Sequence, residues 1–397
     1  MKWFGCFVII LTMKKTIYAD NAATTKICDE AYEAMQPYFK EIYANPSQGY
    51  GAGTTAKRAL NDARRAIAET LSSFDKEIIF TSGGSESDNL AIMGVLDACR
   101  DRGSHIITTD IEHKAVLNTV KYLEKNGTRV TYVHAGSDGR VNPADIEKAI
   151  CNDTVLISVM TANNETGTVQ PIEEIGRIAK AHGVVFHTDA VQAYGKMKLN
   201  PVAMNIDLMS VSAHKFNGPR GAGFLYVKRG TPLSSLIHGG DQEYGLRAGT
   251  ENLPAVAGMA AAAKVAYEKM EERAAYELQL TKRLYERISS EVEGVHLNGD
   301  YEMRLQGTLN LSFDNVEGES LLIALDMKGV CVSTGSACVL STDAPSHVIM
   351  AITGSTERAR QSIRFSLNHD NTMEEVEYIA DAVAESVKYL RGLRNNG

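Results

Sequence analysis

A lysine that directly follows an apolar run is poorly explained by packing, and the segment Ser212-Ala213-His214-Lys215-Phe216-Asn217-Gly218-Pro219 offers one, closed by a Gly-Pro break. Lysine's amine can form an imine with an aldehyde and then move protons at an adjacent carbon. A second run, 184–188, leads into Asp189. Ligands of an open parallel sheet gather at the carboxyl ends of its strands, and a carboxylate held there needs a cation or strong donor. The protonated ring nitrogen of pyridoxal phosphate is such a partner, and its aldehyde is what a lysine of this kind captures. Either residue alone is a weak signal: a lysine in a loop is usually solvated, and an aspartate at a strand end can simply cap a turn. Together they point to pyridoxal chemistry.

Thr81-Ser82-Gly83-Gly84-Ser85-Glu86-Ser87 joins a strand pattern to a helix pattern. Glycines turn tightly, and the unpaired N–H groups of the helix start can receive an anion, so Gly84 and Ser85 are a candidate phosphate cradle. Neither G-x-x-x-x-G-K nor G-x-G-x-x-G is present, and a plain serine-capped helix would read the same way. His113 opens another helical stretch, where it is a cap or a ring able to stack and exchange protons. Asn164, in Asn163-Asn164-Glu165-Thr166-Gly167, follows a strand end and could bond a cofactor oxygen. Arg364 lies in the alternating run Gln361-Ser362-Ile363-Arg364-Phe365-Ser366 and can grip a carboxylate bidentately, although a surface ion pair is the default role for an arginine. Ser333-Thr334-Gly335-Ser336-Ala337-Cys338 reads as a mobile small-residue loop whose thiol is either incidental or a nucleophile.

These residues need a scaffold. Short β-branched runs at 77–81, 105–109, 129–133, 155–159, 184–188, 208–212 and 223–227 alternate with helical stretches such as 87–99, 113–125 and 172–182. That alternation predicts an α/β fold with a mostly parallel sheet covered by helices on both faces. A long helical pattern then runs from Pro254 to about Val292 without an internal proline, as a connector. Strands near 308–312 and 362–366 and a final helix follow, the helix striped by Met373, Val376, Ile379, Val383, Val387 and Leu390. The expected organisation is a large cofactor domain over 29–265, a smaller α+β domain from 16–28 and 266–397, and an apolar extension at 1–15.

The chain has 397 residues, 44% hydrophobic and 23% charged, with a net charge of −8. This acidic balance argues against nucleic acid as a partner. The apolar run from Trp3 to Met13 falls short of the ~20 residues that span a bilayer. Its flanking lysines resemble those of a signal segment, but no small-residue cleavage site follows; the preferred reading is a non-native or upstream start, with Met13 as initiator and a cytoplasmic protein. Cysteines stand at 6, 28, 99, 151, 331 and 338 with no C-x-x-C pair, which fits free thiols in a reducing compartment and no metal site. Cys28, Cys99 and Cys151 are expected as small buried hydrophobes, and Cys331 as a structural strand residue.

From about Ile17 to Leu393 the chain resembles the NifS/IscS cysteine desulfurases, among the class V, fold-type I pyridoxal-phosphate enzymes. The likeness runs through Ala19-Asp20-Asn21-Ala22-Ala23-Thr24-Thr25, the segments 80–90, 163–167, 187–192 and 212–219, Arg247-Ala248-Gly249-Thr250, the Gly-Ser-Ala-Cys of 335–338, and 362–366. The resemblance implies that Lys215 carries the cofactor, Asp189 pairs with its ring nitrogen, Gln192 and Asn164 face its ring oxygen, and His113 stacks on it. Gly84, Ser85, Ser212 and His214 would hold the phosphate, with Thr250 reaching it from the second subunit of a homodimer. Arg364, aided by Asn45, would bind the carboxylate of L-cysteine. Cys338 would take the sulfur as a persulfide and pass it to an acceptor such as an iron–sulfur scaffold, leaving L-alanine. An ordinary class V aminotransferase, a selenocysteine lyase and a catalytically silent assembly partner are the competing readings. Tyr50 stands where relatives commonly have histidine, Ser85 where many have threonine, and the chain stops soon after its last helix.

Overall fold

The computed structural model describes residues 16–334 and 345–395; Cys6 and Cys338, and so the expected thiol loop, lie outside them. A seven-stranded sheet forms the centre. Its strands are β2 (Ile78–Thr81), β3 (His105–Thr109), β4 (Arg129–Val133), β5 (Thr154–Ser158), β6 (Val185–Asp189), β7 (Leu208–Ser212) and β8 (Gly223–Val227). They lie in the order β2-β8-β7-β6-β5-β3-β4; β8 runs antiparallel to both neighbours, and the other pairs are parallel.

The sheet is buried on both faces, and its period of two shows in the packing. Ile107, Ile157, Phe186, Met209 and Phe224 join one apolar cluster. Their immediate neighbours Ile106, Leu156, Val185, Leu208 and Leu225 join another on the opposite face. Successive side chains of a strand point to opposite faces, so runs apolar at every position belong in a sheet covered twice.

A second core gathers Ile17 and Ala19 with Leu280, Leu284, Leu309, Leu311, Phe365 and Val383. Here β10 (Thr308–Phe313) pairs antiparallel with β9 (Val295–Leu297) and β12 (Ser362–Ser366), while β1 (Ile17–Tyr18) lies parallel to β11 (Val330–Cys331). The final helix, Met373–Asn395, buries Val376, Ile379, Val383 and Val387 as its stripe requires, with Met373 exposed.

The continuous connector helix expected from Pro254 to Val292 is two helices, Leu253–Glu268 and Met270–Glu291, interrupted at Lys269, where φ is −106° and ψ 11°. The halves have different work. The first is alanine-rich, buried over most of its surface, and packs on the helices Asp29–Met35 and Gly51–Thr70. The second is amphipathic and packs on Met373–Asn395. One straight helix could not aim its apolar side at both. Among the described residues no helix is long and apolar enough to cross a membrane.

Candidate active site

A cleft of about 340 Å³ opens at the carboxyl ends of the central strands, between the two cores. It is within the size range of pockets that enclose a small organic ligand. The structure brings Gly84, Ser85, His113, Asn164, Asp189, Gln192, Ser212, His214, Lys215 and Arg364 to its wall.

Asp189 closes β6 and is buried, its Oδ1 accepting from the Val191 N–H at 2.9 Å. Burial raises its carboxyl above the usual range, while His113 and then the nearby Lys215 act in the opposite sense. Asp88, from the helix Gly84–Ala98, is buried beside it and raised well above the usual range, by burial and then by Asp189. Sequence reasoning missed Asp88; only its place on the buried side of a helix whose start was already suspected could have shown it. Two carboxyls so close cannot both ionise cheaply without a cation between them.

Lys215 follows β7 in a short 3₁₀ turn, and its Nζ donates to the carbonyls of Ala22 and Ala23 at 2.6 and 2.8 Å. The Gln192 amide donates to the same Ala22 carbonyl at 2.9 Å. The run 19–25 therefore serves as a backbone rest for the lysine. His113 caps the helix Lys114–Lys125, its Nδ1 accepting from Ala115 N–H at 3.2 Å. Burial, and then Lys215 and Lys114, push its imidazole down against the pull of Asp189, which favours the neutral ring.

Gly84 begins its helix beneath Ser212, and a Cβ on Gly84 would lie 2.6 Å from Val191 Cγ2. Gly83, at φ +149°, is a backbone position that side chains rarely adopt. A side chain at Gly84 would crowd Val191 and meet Ser212 on the cleft wall, and the start of this helix is where an anion would find unpaired N–H groups. His214 bonds Thr24 Oγ1 at 3.1 Å, and burial followed by Lys215 and Arg220 pushes its ring down to about 4.

Arg364 is buried rather than a surface arginine. Its Nη2 donates to Asp20 Oδ1 at 2.6 Å and its Nη1 to the Asn164 carbonyl at 2.7 Å. Its backbone also pairs both ways with Ser333, at 2.7 and 3.2 Å. Asn45 and Thr250 do not line the cleft. Asn45 is half-buried in a turn, accepting from Ser47 N–H at 2.9 Å, and Thr250 and Tyr50 are exposed. The expectation of three buried apolar cysteines holds for Cys99; Cys28 and Cys151 are half-buried, and Cys151 faces polar groups.

The residues present fit pyridoxal phosphate. The Asn164 Oδ1 atom is buried without a hydrogen-bond partner, a cost that a polar ligand in the cleft would relieve. A carboxyl pair, a lysine amine and a glycine-opened helix start are the kinds of group that the cofactor's ring nitrogen, aldehyde and phosphate would need.

The sequence profile of the aminotransferase class-V family matches residues 17–379. The cysteine desulfurase IscS of Methanosarcina thermophila is 47% identical over 384 residues, covering 97% of this chain and 95% of its own length. That of Dictyoglomus turgidum is 45% identical over 379 residues, 96% of each chain. Among solved structures, a NifS-like protein superposes with a TM-score of 0.89 at 38% identity, over 94% of this chain and 100% of its own. A structure described as SspA in complex with cysteine superposes with 0.80 at 39%, over 89% and 99%. The chain belongs to the class-V aminotransferase family and, within it, to the NifS/IscS cysteine desulfurases.

Proposed function

We propose that this chain is a pyridoxal-phosphate-dependent cysteine desulfurase that converts L-cysteine to L-alanine and collects the sulfur on Cys338. The observation that carries the reading is the convergence of Lys215, Asp189 and Arg364, from separate strands of two cores, on one cleft. Lys215 would hold the cofactor, with Asp189 at its ring nitrogen, His113 against its ring, Gln192 and Asn164 near its ring oxygen, and Gly84, Ser85, Ser212 and His214 around its phosphate. When bound, the cofactor supplies an aldehyde for the substrate amine and a protonated ring that draws electrons from the α-carbon.

The protein's own groups do the rest. Arg364 holds the substrate carboxylate, trading its bond to Asp20 for one to the ligand. The Lys215 amine accepts the α-proton, its Nζ already poised at the cleft wall. The Cys338 thiolate attacks the substrate sulfur; an S–S bond forms as the C–S bond breaks, and the carbon skeleton leaves as alanine after protonation. The persulfide sulfur then passes to an acceptor such as an iron–sulfur scaffold. Thr250, exposed on its own chain, fits a role completing the phosphate site of a second copy, so the active species is read as a homodimer. Residues 29–265 are read as the large domain, and 16–28 with 266–397 as the small one.

The test is product analysis of the holoenzyme with L-cysteine and a thiol reductant. Equal alanine and sulfide are expected. A keto acid with a pyridoxamine-type spectrum would instead make it an aminotransferase, and strong preference for selenocysteine a lyase. Cys338→Ser should lose persulfide while keeping the cofactor's visible band; undiminished sulfide release would overturn the assignment of Cys338.

A further inference from the structure

The amino ends of the parallel strands, opposite the cleft, carry a second cluster of chemically able groups. His105 opens β3, Arg129 opens β4, and Thr154 opens β5, with Cys151 and Asp153 just before β5. Cys151 Sγ lies 3.1 Å from His105 Nδ1, 3.4 Å from Asp153 Oδ1 and 3.1 Å from Thr154 Oγ1. Arg129 Nη2 bridges two of these groups, 2.9 Å from the sulfur and 2.5 Å from the Asp153 carboxylate.

We propose that His105, Cys151 and Asp153 form a binding site for a divalent transition-metal ion of the zinc type, capped by Arg129 when the ion is absent. The donor set of imidazole, thiolate and carboxylate is one that zinc accepts, and the three ligand atoms all lie within 4.8 Å of one another. Tetrahedral zinc with bonds of about 2.3 Å to sulfur and about 2.0–2.1 Å to nitrogen or oxygen would set its ligands about 3.6 Å apart. The observed spacings of 3.1 and 3.4 Å need to open by only a few tenths of an ångström.

The supporting shell is built as well. His105 is fully buried and its ring is fixed at both nitrogens, Nε2 by Thr131 Oγ1 at 2.8 Å and Nδ1 by Thr154 Oγ1 at 2.7 Å, with the sulfur also 3.1 Å from Nδ1. A water would complete the tetrahedron. Binding releases the Cys151 thiol proton to solvent and swings the half-exposed Arg129 aside.

Arg129 bonds two of the three ligands, so it competes with the ion for them. Cofactor-loaded wild-type protein and the Cys151→Ser, Asp153→Asn and Arg129→Ala variants would be titrated with Zn²⁺ against a chromogenic chelator. The expected results are one Zn²⁺ per chain in wild type that Cys151→Ser lacks, weaker binding in Asp153→Asn, and binding roughly tenfold tighter or more in Arg129→Ala as a competing cation is removed. X-ray absorption should show one sulfur ligand that Cys151→Ser loses. Equal uptake by wild type and Cys151→Ser, or weaker uptake by Arg129→Ala, in proteins that keep the cofactor's visible band, would overturn it. Arg129 and Asp153 are half-exposed, so their variants keep a readout even if replacing Cys151 unsettles the fold.

Discussion

Arg364 and Asp20 form an ion pair at 2.6 Å on the cleft wall, with side chains only 6% and 18% exposed. A buried pair of this kind is strong only while both partners stay, and an incoming carboxylate must displace one of them. Arg364→Lys removes the planar fork and should raise KM for cysteine at least tenfold with a smaller loss in kcat. Asp20→Asn removes the competitor and should lower KM a few-fold. Steady-state kinetics of both variants decide it; a higher KM in Asp20→Asn would show that Asp20 aids the grip rather than competing with it.

Lys215 makes two backbone contacts and sits among groups able to hold the cofactor without it. Lys215→Ala should therefore still bind pyridoxal phosphate, yet borohydride should no longer fix the cofactor to the chain. Turnover should fall by roughly 10²–10⁴-fold, the usual range for loss of a positioned proton carrier. Mass spectrometry of the reduced protein and an alanine assay are the measurements.

Gly84 can be probed by crowding. A methyl group there would meet Val191 Cγ2 at 2.6 Å, so Gly84→Ala should cost about 1–3 kcal/mol of stability and weaken cofactor retention. Val191→Ala added to it should restore much of both, which dialysis against buffer and thermal melts would show.

Glu112 gives a pH prediction of definite sign. It is fully buried, accepts from Thr109 and Met160 through one oxygen, and burial pushes it up from the ordinary glutamate value of 4.5 to about 8. Between those values the folded chain keeps a proton the unfolded chain has lost. Its contribution to stability is thus full below about pH 4.5 and is lost as pH rises through 8, by about 1.4 kcal/mol per pH unit at most. Glu112→Gln cannot ionise and should lose that slope, gaining on wild type from pH 5 to 8 in denaturant titrations.

What the sequence made legible was local. Strands buried on both faces read as unbroken apolar runs, and Lys215 and Asp189 stand at strand ends where an open sheet collects its ligands. What stayed hidden depends on contacts between distant segments. The partner of Arg364 is 344 residues away, so an alternating strand gave no hint of it. Asp88 looked like any helical acid until folding set it beside Asp189. Asn45 and Thr250 carry their expected roles by resemblance, and neither reaches the cleft of its own chain. Cys151 read as a small hydrophobe because its neighbours His105 and Arg129 come from other strands.

The break at Lys269 has a meaning beyond the shape of a connector. It acts as a phase adjuster, because one residue turns a helix by about 100°, and the first half is keyed to one core while the second is keyed to the other. Lys215 and Asp189 ride on the first core, Arg364 and Asp20 on the second. Deleting Lys269 would leave both halves able to pack yet rotate one keying against the other, so the cleft would lose its alignment before either core lost its contacts.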